Sequence, residues 1–290
     1  EALRLESGNV SIAVDLDVDG TTNLDNTDID GTFTQDAGNV VFNEAGADYD
    51  FRIESSANAN AFFVDGAGFR SYMGHNSGVN IGGATRTLAI HNTAADDTGG
   101  IQIMQWAGAN STQGNISFGK SLGSSVGSYT VLTTGRPLGR IMWFGADGTD
   151  MANQAAELEV VANTVGSNDI GGDMLFKTSA GSGAAPSERM RIDEDGNVGI
   201  GVSPQGTHAD FTSVSLGGNG YMSAETAAGA GKNLSILQNA HYDTDGSWEY
   251  ISTDEATRYK QGGGIHEFYS VASGTAGNDI SFTALAKFDI

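Results

Sequence analysis

Cysteine is absent from this 290-residue chain, which excludes disulfides, thiolate metal sites and a cysteine nucleophile. Only 3 prolines stand beside 39% hydrophobic residues, a composition too apolar for a disordered linker. Positive charge is scarce: 14 Lys and Arg face 36 Asp and Glu, for a net −22. Such a balance repels phosphate backbones and provides no basic stripe, so no nucleic-acid partner is expected. No apolar run approaches the length of a membrane span, and the opening Glu1-Ala-Leu-Arg is not a signal peptide, so no membrane insertion is expected. Glycine is plentiful instead, with 42 residues, about twice the usual share. Short strands joined by tight turns account for that composition.

Period-two alternation bears this out along the chain. In VSIAVDLDVDG (10–20), Val10, Ile12, Val14, Leu16 and Val18 share one face and Asp15, Asp17 and Asp19 the other, the pattern of a strand with one wet side. Similar runs occur at 40–42, 50–54, 61–65, 87–91, 101–106, 129–132, 140–145, 174–177, 189–193, 234–237, 266–271 and 280–290, separated by Asp-Gly, Asn-Gly, Gly-Gly and Ser-Gly turns. One stretch competes: DMANQAAELEVVAN (150–163) holds good helix formers behind Asp150, and predicts at most a short helix running into a strand. The chain is expected to be all-β.

Several motifs mimic sites. GNISFGKS (114–121) spells a phosphate-binding loop, but such a loop needs a buried strand before it and a helix after it. WAGANSTQ precedes it, LGSSVGSYTVL follows it, and Ile116 and Phe118 alternate within it, so Lys120 reads as a surface lysine at a turn. DLDVDG (15–20) begins like a calcium loop, yet Asn26 occupies the position of the bidentate Glu and no helix flanks it. None of the histidines (His75, His91, His208, His241, His266) has metal-helix spacing to another, and no Gly-x-Ser-x-Gly elbow holds a serine nucleophile. GVNIGG (78–83) and GIGVSPQG (199–206) are turns. Asp96-Asp97, Asp147 with Asp150, Asp193-Glu194-Asp195 and Asp243 with Asp245 are the random neighbours of an acidic chain. No catalytic residue, metal or cofactor is therefore expected. Trp106, Trp143 and Trp248 are candidate ligand-binding aromatics, although tryptophan in an alternating strand is more often core or oligomer contact.

Self-similarity organises the rest. ESGNVSIAV (6–14), DAGNVVFNE (36–44) and EDGNVGIGV (194–202) share a turn, Gly-Asn-Val and an alternating strand. AFFVDGAG (61–68), RMRIDEDG (189–196) and LAKFDI (285–290) share a strand ending in an acidic turn. The chain starts at Glu1 and stops at Ile290 in mid-pattern, as expected of a piece of something longer. ERMRIDEDGNVGIGVSP (188–204) resembles the hairpin signature of bacteriophage tail fibres and tailspikes. Residues 138–181 resemble the β module that precedes that hairpin in such fibres, and 14–31 and 41–66 are similar to fibre-stem segments. The likeness is specific over 138–204, covers most of 1–205, and is only general over 206–290.

That resemblance implies an elongated, fibrous homotrimer with an intertwined β stem and β-sandwich-like modules, projecting from the virion tail. It implies other tail or baseplate proteins and a host surface glycan or protein as partners. The expected organisation is a stem at 1–83, a module at 84–205 closed by the 188–204 hairpin, and a second module at 206–290. The hairpin residues Met190, Ile192, Gly196, Asn197, Val198, Ile200 and Val202 are expected to join the copies: the Val198, Ile200, Val202 face needs cover that a lone hairpin lacks. Gly196 and Asn197 suit the turn, and Gly199 and Gly201 permit close backbone approach. The expected function is structural and adhesive, in host attachment. A glycan depolymerase, a purely architectural fibre or baseplate part, and a cellular surface adhesin are the rivals.

Overall fold

The computed structural model describes Thr32 and residues 51–56, 58–65, 70–78, 80–91, 101–106 and 114–289. The aspartate run at 15–20, the Gly-Asn-Val copies at 6–14 and 36–44, and Asp96-Asp97 lie outside the described residues. Among the described residues every regular element is a strand, seventeen in all, and no helix is long and apolar enough to cross a membrane.

A small sheet has the order β1-β2-β3-β4, from Phe51–Ile53, Phe62–Asp65, Arg70–Met73 and Leu88–Ile90. Its first two pairings are antiparallel; β3 and β4 run parallel, so the chain crosses over between them. Alternation sets its faces. Ile53, Phe62, Met73 and Ile90 line up across the four strands on one side, while Tyr72 is buried on the other, its ring stacked on Phe63 at 6.2 Å.

The second sheet has eleven strands. Its first half comprises β5 (Pro137–Phe144), β6 (Gln154–Gly166), β7 (Asp169–Thr178), β8 (Ser187–Ile192) and β9 (Val198–Ile200). Its second half comprises β10 (Phe211–Leu216), β11 (Gly220–Glu225), β12 (Asn233–Gln238), β15 (Asp254–Gly262), β16 (Ile265–Gly274) and β17 (Thr283–Phe288). Neighbours are antiparallel except β9 and β10, which pair in parallel over three residues, so one hydrogen-bonded sheet runs through position 205. A hairpin of β13 (Ala240–Tyr242) and β14 (Trp248–Tyr250) packs on β11 and β15. It covers a small core of Tyr221, Leu237, Ala240, Tyr250, Ala256 and Ile280.

Three expectations are corrected. No helix forms over 150–163: β6 begins at Gln154, because Glu157 and Glu159 point to one side of the sheet while Leu158 and Val160 point to the other. Residues 101–106 and 129–132 form no strand, and neither does the segment bearing Ile116 and Phe118. Their alternation is real, but a strand needs a ladder of bonds to a neighbour; among the described residues the N–H of Leu122 donates to the Thr130 carbonyl (3.2 Å), and no ladder builds on it.

Candidate functional site

The 188–204 segment builds its hairpin locally. β8 and β9 pair Met190 with Ile200, Arg191 with Gly199 and Ile192 with Val198. Between them the Oδ1 of Asp193 accepts the backbone N–H of Asp195 (3.1 Å) and of Asn197 (2.7 Å), a side chain mimicking a backbone turn. Gly196 takes φ +83°, the left-handed conformation that costs glycine nothing. Asn197 is only 3% exposed; its Oδ1 accepts both the N–H (3.0 Å) and the Oγ–H (3.1 Å) of Ser213 on β10. At Gly199 a Cβ would sit 2.1 Å from the Val202 carbonyl oxygen and 2.8 Å from Pro204, so the chain folds back where only glycine fits. Val202 lies beyond β9 and is half-buried.

Register carries the hairpin's apolar side across the whole sheet. Val160, Met174, Ile192, Val198, Val214, Met222, Ile236, Tyr259 and Phe268 stand opposite one another from β6 to β16. A second row joins Ile141, Leu158, Phe176, Met190, Ile200 and Leu216. Trp143 (51% exposed) and Phe288 (61%) extend this face toward the two edge strands. Phe118 lies over Gly139 at one end. Elsewhere Met174, Phe176, Ile200, Leu216, Ile236 and Phe268 remain exposed, and among the described residues no other sheet packs on them. Contiguous uncovered apolar area of this kind marks an interaction surface.

The opposite face is sealed by polar pairing. On β6, Glu157 and Glu159 are only 6% exposed. Lys177 on β7 bonds Glu157 at 3.0 Å and also bonds Glu159, while Arg140 on β5 lies 3.4 Å from Glu157 and 3.7 Å from Glu159. Burial pushes the Glu157 pKa up, but hydrogen bonds from Gln154 and Lys177 outweigh it and hold the carboxyl below its ordinary value. Burial likewise works against the Lys177 charge, and its two glutamate bonds more than restore it. Arg191 bridges Asp173 (2.6 Å) and Glu188 (2.8 Å). Further along, Ser213, Ser223 and Ser235 stand directly opposite one another, each almost fully buried. Among the described residues, then, the polar face is closed by pairing and the apolar face is left open.

The three tryptophans do not converge. Trp106 is 86% exposed in a segment that is neither strand nor helix, and Trp143 belongs to the apolar face. Trp248 packs against the small core, with Arg258 stacked 4.3 Å from its ring centroid and Tyr242 4.8 Å away, so both neighbours compete with a sugar for its surface. Lys120 lies exposed in a segment with neither strand nor helix. It borders an open cavity of about 880 Å³ with Tyr129, Asn168 and Asp169, and no helix N-terminus serves that cavity.

Carboxylates gather at the β13–β14 hairpin. Asp243 is buried, and its Oδ1 accepts the N–H of Asp245 (3.1 Å) and Ser247 (2.9 Å). Burial raises its pKa, but these bonds and one from Glu249 outweigh it and lower the pKa overall. Glu249 moves the other way: burial first, then the charge of Asp243, raise its pKa. The two Asp243 bonds fasten the turn between β13 and β14. Among the described residues no group of three or more His, Asp and Glu is arranged to hold a metal ion. The structure does bring His75 and His91 together, with ring centroids 5.5 Å apart. Spacing could not reveal this pair, because the parallel β3–β4 crossover, invisible in the sequence, makes them neighbours. No protein-family model matches the chain, and no match was found among curated proteins.

Proposed function

We propose that the chain is a structural and adhesive protein of a virion tail, acting as an elongated homotrimer that attaches the particle to a host surface. The observation that carries this reading is the uncovered apolar face of the eleven-stranded sheet. Nine of its exposed side chains, from Ile141 and Trp143 to Phe268 and Phe288, present on the order of 800 Å² per copy, the amount one partner contributes to a stable interface. Around a threefold axis the same face of each copy turns inward and is covered by the other two. The likeness of residues 138–204 to tail-fibre modules supplies the biological context, with other tail or baseplate proteins and a host glycan or protein as partners. Attachment then works by multivalency: identical weak contacts held on one stalk raise each other's effective concentration.

Light scattering on the purified chain without denaturant tests the assembly. Three times the 30.0 kDa chain mass is expected, falling to one in Ile236→Glu with Phe268→Glu. A cooperatively folded wild-type monomer at micromolar concentration would falsify the reading. Binding of fluorescently tagged trimer to host cells, competed by intact virions, tests adhesion separately.

A further inference from the structure

We propose that Arg258, set between Trp248 and Tyr269 on the polar side of the large sheet, anchors a binding site for a carboxylate group.

The sheet places the guanidinium. Arg258 stands opposite Leu237 of β12 and Tyr269 of β16, on the side where Leu237 enters the small core beneath the β13–β14 hairpin. Trp248 of that hairpin holds its ring centroid 4.3 Å from the guanidinium carbon, and the Tyr269 centroid is 5.6 Å away. The Nε–H donates to the Oγ of Ser235 on β12 (3.0 Å). The ring faces attract the cation but offer its remaining N–H groups no lone pairs.

Two observations point to a carboxylate. The first concerns counter-charge. Among the described residues nothing in the chain accepts from either Nη group of Arg258, although the chain carries 36 Asp and Glu against 14 Lys and Arg. The carboxylates nearby are already engaged: Glu267 accepts from Lys260 (3.0 Å) and from Tyr269, and Glu225 lies 3.0 Å from Lys232. The second observation is burial. Arg136 and Arg189 also donate only to a threonine hydroxyl, but both are exposed, so water compensates them. Arg258 is half-buried; burial pushes its pKa down, and the groups around it do not restore it. A charge withdrawn from water without a partner is costly, and an acceptor from outside the chain relieves that cost.

The free side of the guanidinium selects the ligand. Two amino groups in one plane match two oxygens in one plane, the bidentate pairing of arginine with carboxylate. Phosphate offers similar oxygens, but it carries more charge at pH 7, and the −22 field of the chain opposes it more strongly. A singly charged, planar acceptor therefore suits the site best. This inference does not depend on the proposed adhesive role: the indole orients the guanidinium, and the guanidinium binds.

Calorimetric titration of the full chain with acetate at constant ionic strength tests the site, with acetamide as the uncharged counterpart and inorganic phosphate as the more highly charged anion. Saturable binding of one acetate per chain is expected, with phosphate weaker and acetamide without effect. Arg258→Gln should abolish binding. Arg258→Lys, which keeps the charge but not the fork, should weaken it about tenfold or more, and Arg136→Gln should leave it unchanged. Far-UV circular dichroism and denaturant midpoints check that each variant is folded. The titration is run on the assembled chain and on the lone chain, the latter given by Ile236→Glu with Phe268→Glu on the opposite side of the sheet. Binding in both assigns the natural carboxylate to a ligand from outside, whereas binding in the lone chain alone assigns it to an Asp or Glu of another copy. No saturable acetate binding in either, equal binding of acetamide, or binding that survives Arg258→Gln overturns the site and leaves water as the partner of the Nη groups.

Discussion

Replacing Lys177 with Met removes the cation from between two buried glutamates while keeping most of the side chain's apolar volume. Glu157 and Glu159 are each only 6% exposed, and Lys177 is their closest positive partner. Breaking a buried pair costs about 3–5 kcal/mol, because the remaining charge is left without compensation. Arg140 stays within 3.4 Å of Glu157 but is half-exposed, so the lower end, about 3 kcal/mol, is expected. In a chain of this size that lowers the melting temperature by roughly 6–12 °C. The pH dependence identifies the cause. The Glu157 pKa is depressed in the folded chain, so its stabilisation is complete above the unfolded carboxyl value of about 4.3 and lost as pH falls through the folded one. Denaturant midpoints at fixed protein concentration should therefore differ at pH 7 and draw together as pH falls below the unfolded carboxyl value. Adding Glu157→Gln to Lys177→Met should restore much of the loss at pH 7. A gap that does not narrow as the pH is lowered would show that the lysine stem, and not its charge, stabilises the sheet, and the electrostatic account would fail.

Other outcomes can be stated more briefly. Asn197→Ala leaves the Ser213 N–H and Oγ without their shared acceptor and should cost about 1–3 kcal/mol, read by chemical denaturation. Gly199→Ala drives a methyl into the Val202 carbonyl and should cost about 1–3 kcal/mol as overpacking, whereas Gly145→Ala, with open space around it, should be nearly silent in the same assay. The raised Glu249 pKa makes wild-type stability fall as pH rises from the unfolded carboxyl value to the folded one. Glu249→Gln should remove that slope and melt higher at pH 7 by calorimetry; a lower melting temperature would contradict it. Lys120→Ala should leave equilibrium dialysis against ATP unchanged, at no binding in either protein.

The alternation rule found most strands because it reports a physical fact, the two-sidedness of a pleated sheet. It gave Val198, Ile200 and Val202 as one apolar face; the register puts Val198 and Ile200 on it beside Ile192 and Met190, while Val202 lies beyond β9. It missed β3, β13 and β14, and also β10, β11 and β15, where one side carries Ser213, Ser215, Ser223 or Lys260 in place of an apolar residue. In Phe211–Leu216 those serines read as loop composition, although they are the most buried residues of the strand. The same rule overreached at 101–106 and 129–132, because alternation gives a segment two faces but cannot provide a neighbour to bond to. The Trp248 environment and the His75–His91 pair were illegible for a different reason: each depends on a crossover or an overlying hairpin that joins distant residues.

The three-residue parallel junction between β9 and β10 sets the phase of everything beyond it. Side chains alternate with a period of two, so sliding β10 by one position would bring Ser213 and Ser215 onto the oily side and turn Val214 inward. Asn197, gripping Ser213 through two bonds, works as a locating pin: it forces the second half of the molecule to inherit the orientation of the first.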